Sequence, residues 1–373
     1  MLRVIHTADW QIGREFGLFA DDDAAALAAA RLTTVKKIGQ LATERGADLV
    51  LVAGDVFDAP SMADKTMRRL FGALESFQGP WVLLAGNHDP ALSAGVWARA
   101  NELGCIPDNV VVPAAVTTIN LNAIGASVLA APLTQRRVYD DLTAAFETME
   151  TPAAHYRLGL AHGSVTGQLQ ELADAGNPIA ADRPETARLD YLALGDWHGK
   201  LQIGPRLWYA GTPEQDRFRA NEPGYVLQVT LQAPGAVPEV SPVWVGQFRW
   251  HDLEVRLIDD SSLDQLDTQL QALDGHAVVR LALSGQLSLQ QQQRLHVLID
   301  THSARLRALR VDRGDLVTAA TDADIADLQA DGYLAQVLAD LRDPDLDLNT
   351  EVREQALQLL ANTLMQRHGG SGS

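Results

Sequence analysis

The strongest constraint in this sequence is a recurrence: short apolar runs, each closed by a small polar or charged block. Residues 2–6, 49–53, 81–85, 156–161, 191–195, 207–210 and 225–231 are rich in Val, Leu, Ile and aromatics. Gly, Asp or Pro bounds them, which reads as strands. Between the first of them, residues 24–45 and 63–77 place apolar side chains at helical spacing. Strand, helix, strand, helix predicts an α/β core. The polar blocks Asp9, Asp55, Asn87–His88, His162 and Asp196–His198 fall just after strand ends. In open α/β sheets that is where ligands bind.

At 373 residues the chain suits one large catalytic domain and a smaller one. Residues 232–242 hold three Pro and one Gly and read as a linker or irregular edge. This places the expected division at 1–240 and 241–366, with 367–373 as a flexible Gly/Ser tail. Beyond the linker, helices are expected at 262–273, 288–306, 322–341 and 351–367, with strands at 277–283, 309–311 and 316–318. The net charge is −18, and residues 251–373 contribute −10 of it, from 10 Arg against 20 Asp and Glu. An acidic third of this kind is a solvated or protein-docking surface rather than a nucleic-acid platform. With only four Lys, phosphate contacts fall mainly to Arg. The single cysteine, Cys105, excludes an intramolecular disulfide and a Cys-based zinc site. No apolar run nears the ~20 residues that span a bilayer. The N-terminus lacks a basic segment ahead of an apolar one, so a cytoplasmic protein is expected.

Five blocks carry the chemistry: Asp9-Trp-Gln11, Gly54-Asp55-Val-Phe-Asp58, Gly86-Asn87-His88-Asp89, His162-Gly163 and Gly195-Asp196-Trp197-His198. All follow predicted strands, so their side chains can converge at one sheet edge. The set is carboxylates, amides and imidazoles, without thiols. A pair of divalent cations about 3.5–4 Å apart needs a bridging ligand, and a carboxylate serves. Oxygen-rich ligation with some imidazole suits Mn, Mg or Fe better than a closed structural zinc. Such a pair lowers the pKa of a water toward ~7 and clamps both oxygens of an in-line phosphoryl displacement. The chemistry this constellation serves is phosphoester hydrolysis.

These blocks resemble those of the calcineurin-like metallophosphoesterases, and within them the SbcD-type DNA repair exonucleases. The segments HTADWQIGREF, AGDVFD and LLAGNHD carry the resemblance, with Tyr209-Ala-Gly-Thr-Pro-Glu214 following later. It covers residues 1–230 well and the remainder only in position. The resemblance implies a four-layer α-β-β-α sandwich with a small C-terminal α/β capping domain. It also implies two divalent cations, with Mn2+ ahead of Mg2+ or Fe. Asp9 and His198 would hold the first, Asp55 would bridge, and Asn87 and His162 would hold the second. His88 would face the scissile phosphate, Asp89 would orient His88, and Asp58 would be supporting. The sequence departs from the family twice: Gln11 and Asp196 stand where histidines are usual, and both are counted as candidate ligands. DNA ends, an SbcC-type coiled-coil ATPase and a second copy of the chain are the implied partners. The function expected is metal-dependent cleavage of DNA phosphodiesters in repair. A cyclic-nucleotide phosphodiesterase and an attenuated scaffold subunit are the competing readings.

Other residues have plainer readings. His6 is expected to be a satisfied core histidine. Trp10 and Trp197 are expected to pack around the site rather than stack a base. Arg14, Arg136, Arg137, Arg217 and Arg219 lie near motif loops and are candidates for phosphate contacts.

Overall fold

Alternation along β1 (Leu2–Thr7) sets the layering of the first unit. Leu2 and Val4 enter one apolar cluster and Ile5 enters another on the opposite face, as a period of two requires. β2 (Leu49–Val52) repeats the pattern, with Leu49 and Leu51 on one side and Val50 and Val52 on the other. The structure is a computed structural model describing residues 1–168, 176–318 and 333–342, with Asn349, Val352 and Ala356. Its chain divides into Met1–Arg249 and Trp250–Ser373.

In the first unit β3 (Trp81–Leu83) and β4 (Val110–Val111) extend β1 and β2 as parallel neighbours. A second sheet follows from β5 (Thr117–Leu121), β6 (Ala126–Ala131) and β7 (Tyr156–His162). The short β8 (Ser164–Val165) and β9 (Pro178–Ile179) pair only with each other. β10 (Tyr191–Gly195), β11 (Leu201–Gly204) and β12 (Leu207–Tyr209) complete the second sheet in the order β11-β12-β10-β7-β6-β5. β13 (Tyr225–Leu231) returns to pair antiparallel with β1, and β14 (Glu239–Trp244) pairs with β13. The first sheet therefore reads β14-β13-β1-β2-β3-β4.

The two sheets share an apolar layer in which Leu2, Val4, Leu49 and Leu51 meet Val128, Leu158, Leu160 and Ala193. α1 (Asp21–Glu44), α2 (Asp64–Leu74) and α3 (Val96–Glu102) cover the outer face of the first sheet. In α2 the buried residues Met67, Leu70, Phe71 and Leu74 form one stripe at helical spacing. The outer face of the second sheet is covered more thinly among the described residues. A 3-10 turn, Leu142–Glu147, supplies Phe146, and α4 (Arg183–Thr186) precedes Ala187. The α-β-β-α layering expected from the sequence is present, with a fourth layer of short elements.

Residues 239–242, the end of the stretch read as a linker or irregular edge, belong to an edge strand, Glu239–Trp244, in which Pro242 opposes Leu227. An edge position needs no amide from one face, so it admits proline where a central strand would not. The chain divides after residue 249.

The second unit holds a three-stranded sheet ordered β15 (Arg249–Leu257), β16 (Ala277–Leu287), β17 (Ala308–Thr318). α5 (Asp260–Gln271) follows β15, and α6 (Leu289–Ser303) joins the parallel pair β16 and β17 as a crossover. Both helices begin with a capping box, Asp259 with Ser262 and Ser288 with Gln291. The expected strands 309–311 and 316–318 are parts of β17, whose pairing with β16 shifts register between Ala282 and Ser284. α7 (Tyr333–Arg342) falls within the expected helix 322–341, of which 322–332 lies outside the described residues. So do the tail 367–373 and nearly all of the expected helix 351–367. Among the described residues no helix is long and apolar enough to cross a membrane.

His6 is fully buried and hydrogen-bonds the Tyr191 hydroxyl at 2.9 Å and the Leu194 carbonyl at 3.1 Å. Burial depresses its imidazole to about 3, so it is neutral, as a core histidine should be.

The sheets approach most closely at Gly195. A Cβ there would lie 2.0 Å from the Ala53 carbonyl oxygen and 2.9 Å from His162 Nδ1. Gly72, on the exposed face of α2, has open space. Gly195→Ala is expected to lower stability by about 1–3 kcal/mol through overpacking. Gly72→Ala is expected to raise it by about 0.5–1 kcal/mol. Urea unfolding followed by tryptophan fluorescence distinguishes the two, and equal effects would contradict the close approach.

Candidate metal centre

The motif loops are held in conformations that L-residues rarely adopt. Asp9 (φ 52°), Gln11 (42°), Asp55 (52°) and Asp196 (102°) all have positive φ. Such backbones cost free energy and persist only where the surroundings enforce them. The enforcement is visible. Asp9 N–H donates to Gly54 O at 3.0 Å, Gln11 N–H to Asp55 O at 2.8 Å and Ile12 N–H to Val56 O at 2.9 Å. The loops after β1 and β2 thus run together as a ladder. Asp196 N–H donates to the Asp9 carboxylate at 3.1 and 3.3 Å, tying in the loop after β10.

Beneath these loops a charged guanidinium supplies further donors. Arg31 of α1 is buried and donates to the carbonyls of Asp9, Trp10 and Glu214 and to Thr212 Oγ1, at 2.6–3.1 Å. Glu214 is buried beside it. Its carboxylate accepts from Thr34 Oγ1 at 2.7 Å and from the amides of Gln247 and Phe248 at 2.7 and 3.0 Å.

The ligand atoms of Asp9, Asp55 and His162 lie within 4.8 Å of one another, and all three side chains are buried. His162 Nδ1–H donates to Ala53 O at 2.8 Å, which leaves the lone pair on Nε2. That Nε2 lies 3.6 Å from Asp55 Oδ1 and 3.7 Å from Asp196 Oδ1. Among the described residues it has no hydrogen-bond partner, and neither does the buried Asn87 Oδ1. Two buried polar atoms without partners, an amide oxygen and an imidazole nitrogen that ligates once its proton is released, are what a divalent cation beside carboxylates would satisfy. Asp55, Asn87, His162 and Asp196, with Asp9 alongside, therefore fit such an ion. Burial pushes the Asp9 carboxyl up to about 7, against the pull of His198 and His162. Burial also depresses the His162 imidazole, but Asp55, Asp9 and Asp196 outweigh it and lift the group to about 9.

The remaining two candidate ligands sit differently. Gln11 Oε1 accepts from Arg14 Nη1 at 2.9 Å, and Gln11 Nε2 lies 3.3 Å from His198 Nε2. Gln11 therefore turns its amide nitrogen, not its oxygen, toward the neighbouring imidazole. His198 Nδ1 is 3.1 Å from Asp216 Oδ2, and Arg217 Nη2 lies across the ring, 2.9 Å from Nδ1 and 3.3 Å from Nε2. Burial raises the Asp216 carboxyl, but His198, Arg31 and Arg217 outweigh it and hold it well below the usual range.

Asp89 departs from its expected role. Its buried carboxylate accepts from Phe57 N at 3.0 Å and Gly86 N at 2.7 Å, clamping two motif loops. The residue that orients His88 is Asp58, whose carbonyl accepts from His88 Nδ1 at 2.9 Å. His88 N–H in turn donates to Asp55 Oδ1 at 2.9 Å. Asp216, Arg31 and Glu214 received no role from the sequence. No spacing rule marks a supporting carboxylate 18 residues beyond its histidine, and a helical Arg reads as surface.

An open basin lies over the centre. Asn87, His88, Asp196, Trp197 and His198 line it with Arg136, Arg137, Arg217 and Arg219. Trp197 carries the Arg219 guanidinium 4.7 Å over its ring. Trp10, at the matching place in its own loop, is buried, donates to Thr7 Oγ1 and packs edge-on against Trp81. Both tryptophans pack around the site as expected, Trp10 in the core and Trp197 partly buried against the apolar cluster that includes Phe146.

The calcineurin-like phosphoesterase family profile matches residues 2–155, the stretch carrying Asp9, Asp55 and the Gly86–Asp89 block. Over that stretch the chain is similar to the family. The chain is 24% identical over 342 residues to the D subunit of the SbcCD nuclease from Bacillus subtilis (strain 168), spanning 75% of the chain and 85% of that protein. It is 33% identical over 95 residues to the D subunit of the SbcCD nuclease from Rhodobacter capsulatus, spanning 24% of the chain and 22% of that protein. Among solved structures, TT1561 of Thermus thermophilus aligns over 65% of the chain and 99% of its own length, at 14% identity and a TM-score of 0.40. The family uses divalent metals.

The protonation states give a signed prediction. A metal binds the deprotonated ligands, and His162 with its proton held up to about 9 must release it. Mn2+ affinity is expected to rise about tenfold per pH unit between pH 7 and 9. The rise should be steeper below pH 7, where Asp9 also carries a proton, and level off above 9. Calorimetry in buffers of differing ionisation heat measures it, and an affinity flat from pH 7 to 9 would show that His162 holds no proton to release in that range.

Proposed function

We propose that this chain is a metal-dependent phosphodiesterase of the SbcD type. It cleaves DNA ends during repair, with an SbcC-type coiled-coil ATPase as its partner and a second copy of itself in the assembly. The observation that supports this most is the pair of orphaned acceptors, Asn87 Oδ1 and His162 Nε2, facing Asp55 and Asp196 at the floor of an arginine-lined basin. Asp9, Asp55, Asn87, His162 and Asp196 hold the divalent cation, Mn2+ before Mg2+ or Fe. When bound, such an ion activates water and offsets the charge that develops on phosphorus.

The rest of the work falls to the protein. Arg136, Arg137, Arg217 and Arg219 gather the phosphates of the substrate into the basin. His88 is pinned through Nδ1 by the Asp58 carbonyl, so Nε2 of its imidazolium form delivers a proton to the leaving oxygen. Asp89 keeps the loops bearing Phe57 and Gly86 together, fixing His88 against Asp55. Four arginines line the basin, which suits the several phosphates of a strand end better than the single phosphate of a cyclic nucleotide. The acidity of residues 251–373 fits a protein that shares its DNA grip with a partner.

His88→Ala is expected to retain Mn2+ binding and lose hydrolysis of a labelled duplex by about 10²–10⁴-fold. Loss of metal instead would make His88 a ligand. Hydrolysis of bis-p-nitrophenyl phosphate that duplex ends do not compete away would turn the reading toward a small-molecule enzyme. Metal binding without any turnover would turn it toward a scaffold subunit.

A further inference from the structure

We infer that this chain holds one divalent cation rather than two, and that the guanidinium groups of Arg14 and Arg217 stand in the place of the other. The inference rests on the metal-dependent reading above and concerns the half of the centre formed by Gln11 and His198. Three observations carry it. First, the ligand atoms of Asp9, Asp55 and His162 cluster within 4.8 Å of one another, and Asp196 Oδ1 lies 3.7 Å from His162 Nε2. Second, Gln11, whose carbonyl oxygen is its sole ligating atom, gives that oxygen to Arg14 at 2.9 Å and turns its amide nitrogen to His198. Third, both ring nitrogens of His198 already face hydrogen-bonding groups: Asp216 and Arg217 at Nδ1, Gln11 and Arg217 at Nε2.

The contrast between the halves is one of unmet demand. On the side of Asn87 and His162, buried acceptors lack any donor among the described residues. On the side of Gln11 and His198, the acceptors face donors and two guanidinium groups are already in place, paired with Asp58 and Asp216. Arg14 is anchored there by Asp58 at 3.4 Å and Asp216 at 3.5 Å. Arg217 is anchored by Asp216 at 3.2 Å. A cation entering this half would have to displace two charged groups, each bound to carboxylate, to gain an amide oxygen and one imidazole. Guanidinium groups bind phosphate oxygens in a fork, so Arg217, which also lines the basin, takes over the phosphate contact that a second ion makes elsewhere.

The experiment is Mn2+ titration of the full chain by calorimetry and native mass spectrometry, with electron paramagnetic resonance of the loaded protein. One equivalent with the spectrum of an isolated Mn2+ is expected. Gln11→His, Arg217→Ala and the double variant are then compared, each checked for an unchanged unfolding transition. The double variant should gain a second equivalent and an exchange-coupled spectrum, with Asp55→Asn losing the first. Two equivalents in the parent would overturn the single-ion assignment and leave the metal-dependent reading intact. No bound metal in the parent would overturn both. A double variant that folds and stays at one equivalent would overturn the role given to Gln11 and Arg217.

Discussion

The whole arrangement depends on burying like charges together. Asp9, Asp55 and Asp196 converge at the edge of two packed sheets, with Asp9 wholly and Asp55 almost wholly out of water. Three carboxylates there repel one another and have lost their hydration, which is why Asp9 and Asp196 are pushed toward their protonated forms. Isolated, such a cluster would be among the most destabilising features a fold could contain. Its neighbours are arranged around that fact. Loop amides point at the Asp9 and Asp55 carboxylates, His162 presents its edge to all three, and Arg31 holds the backbone beneath. A divalent ion would complete what these groups begin.

That constraint explains the backbone of the centre. Side chains can converge at a sheet edge only if the chain reverses tightly just past each strand. Asp9, Gln11, Asp55 and Asp196 do so at positive φ. Aspartate tolerates this region better than most residues, so ligand chemistry and turn chemistry favour the same residue type. Asp89 and Asp216 are buried carboxylates of another kind. One joins two loops through their amides and the other holds an imidazole and two guanidiniums.

Much of this was legible in the sequence. Strands with strong apolar runs, such as Tyr191–Gly195 and Tyr225–Leu231, lie where the pattern put them. The ladder strands Thr117–Leu121 and Ala126–Ala131 were passed over, because Asn, Ser and Ala dilute their apolar signal. Pro242 left the stretch before it open between linker and irregular edge, and its end, from residue 239, forms an edge strand. In the centre, motif order put Asp9, Asp55, Asn87 and His162 at one sheet edge, and there they gather. The direction of Asp89 was not legible, because adjacency in sequence to His88 does not set where a side chain turns, and this one turns inward to backbone amides. The amide orientation of Gln11 was equally hidden, since it is set by Arg14, three residues on in a loop with no regular period.

Arg31 has a consequence for the life of the chain as it is made. Its guanidinium is satisfied in part by Thr212 and the Glu214 carbonyl, 181 and 183 residues further along. β1, at the very start, likewise has its antiparallel neighbour in Tyr225–Leu231. A growing polypeptide that has not yet reached these residues has the loops of Asp9 and Asp55 but lacks the parts that press them into place. The centre is thus the last thing to be finished in its unit. Until then Arg31 lacks the Thr212 and Glu214 acceptors that hold it beneath the loop of Asp9.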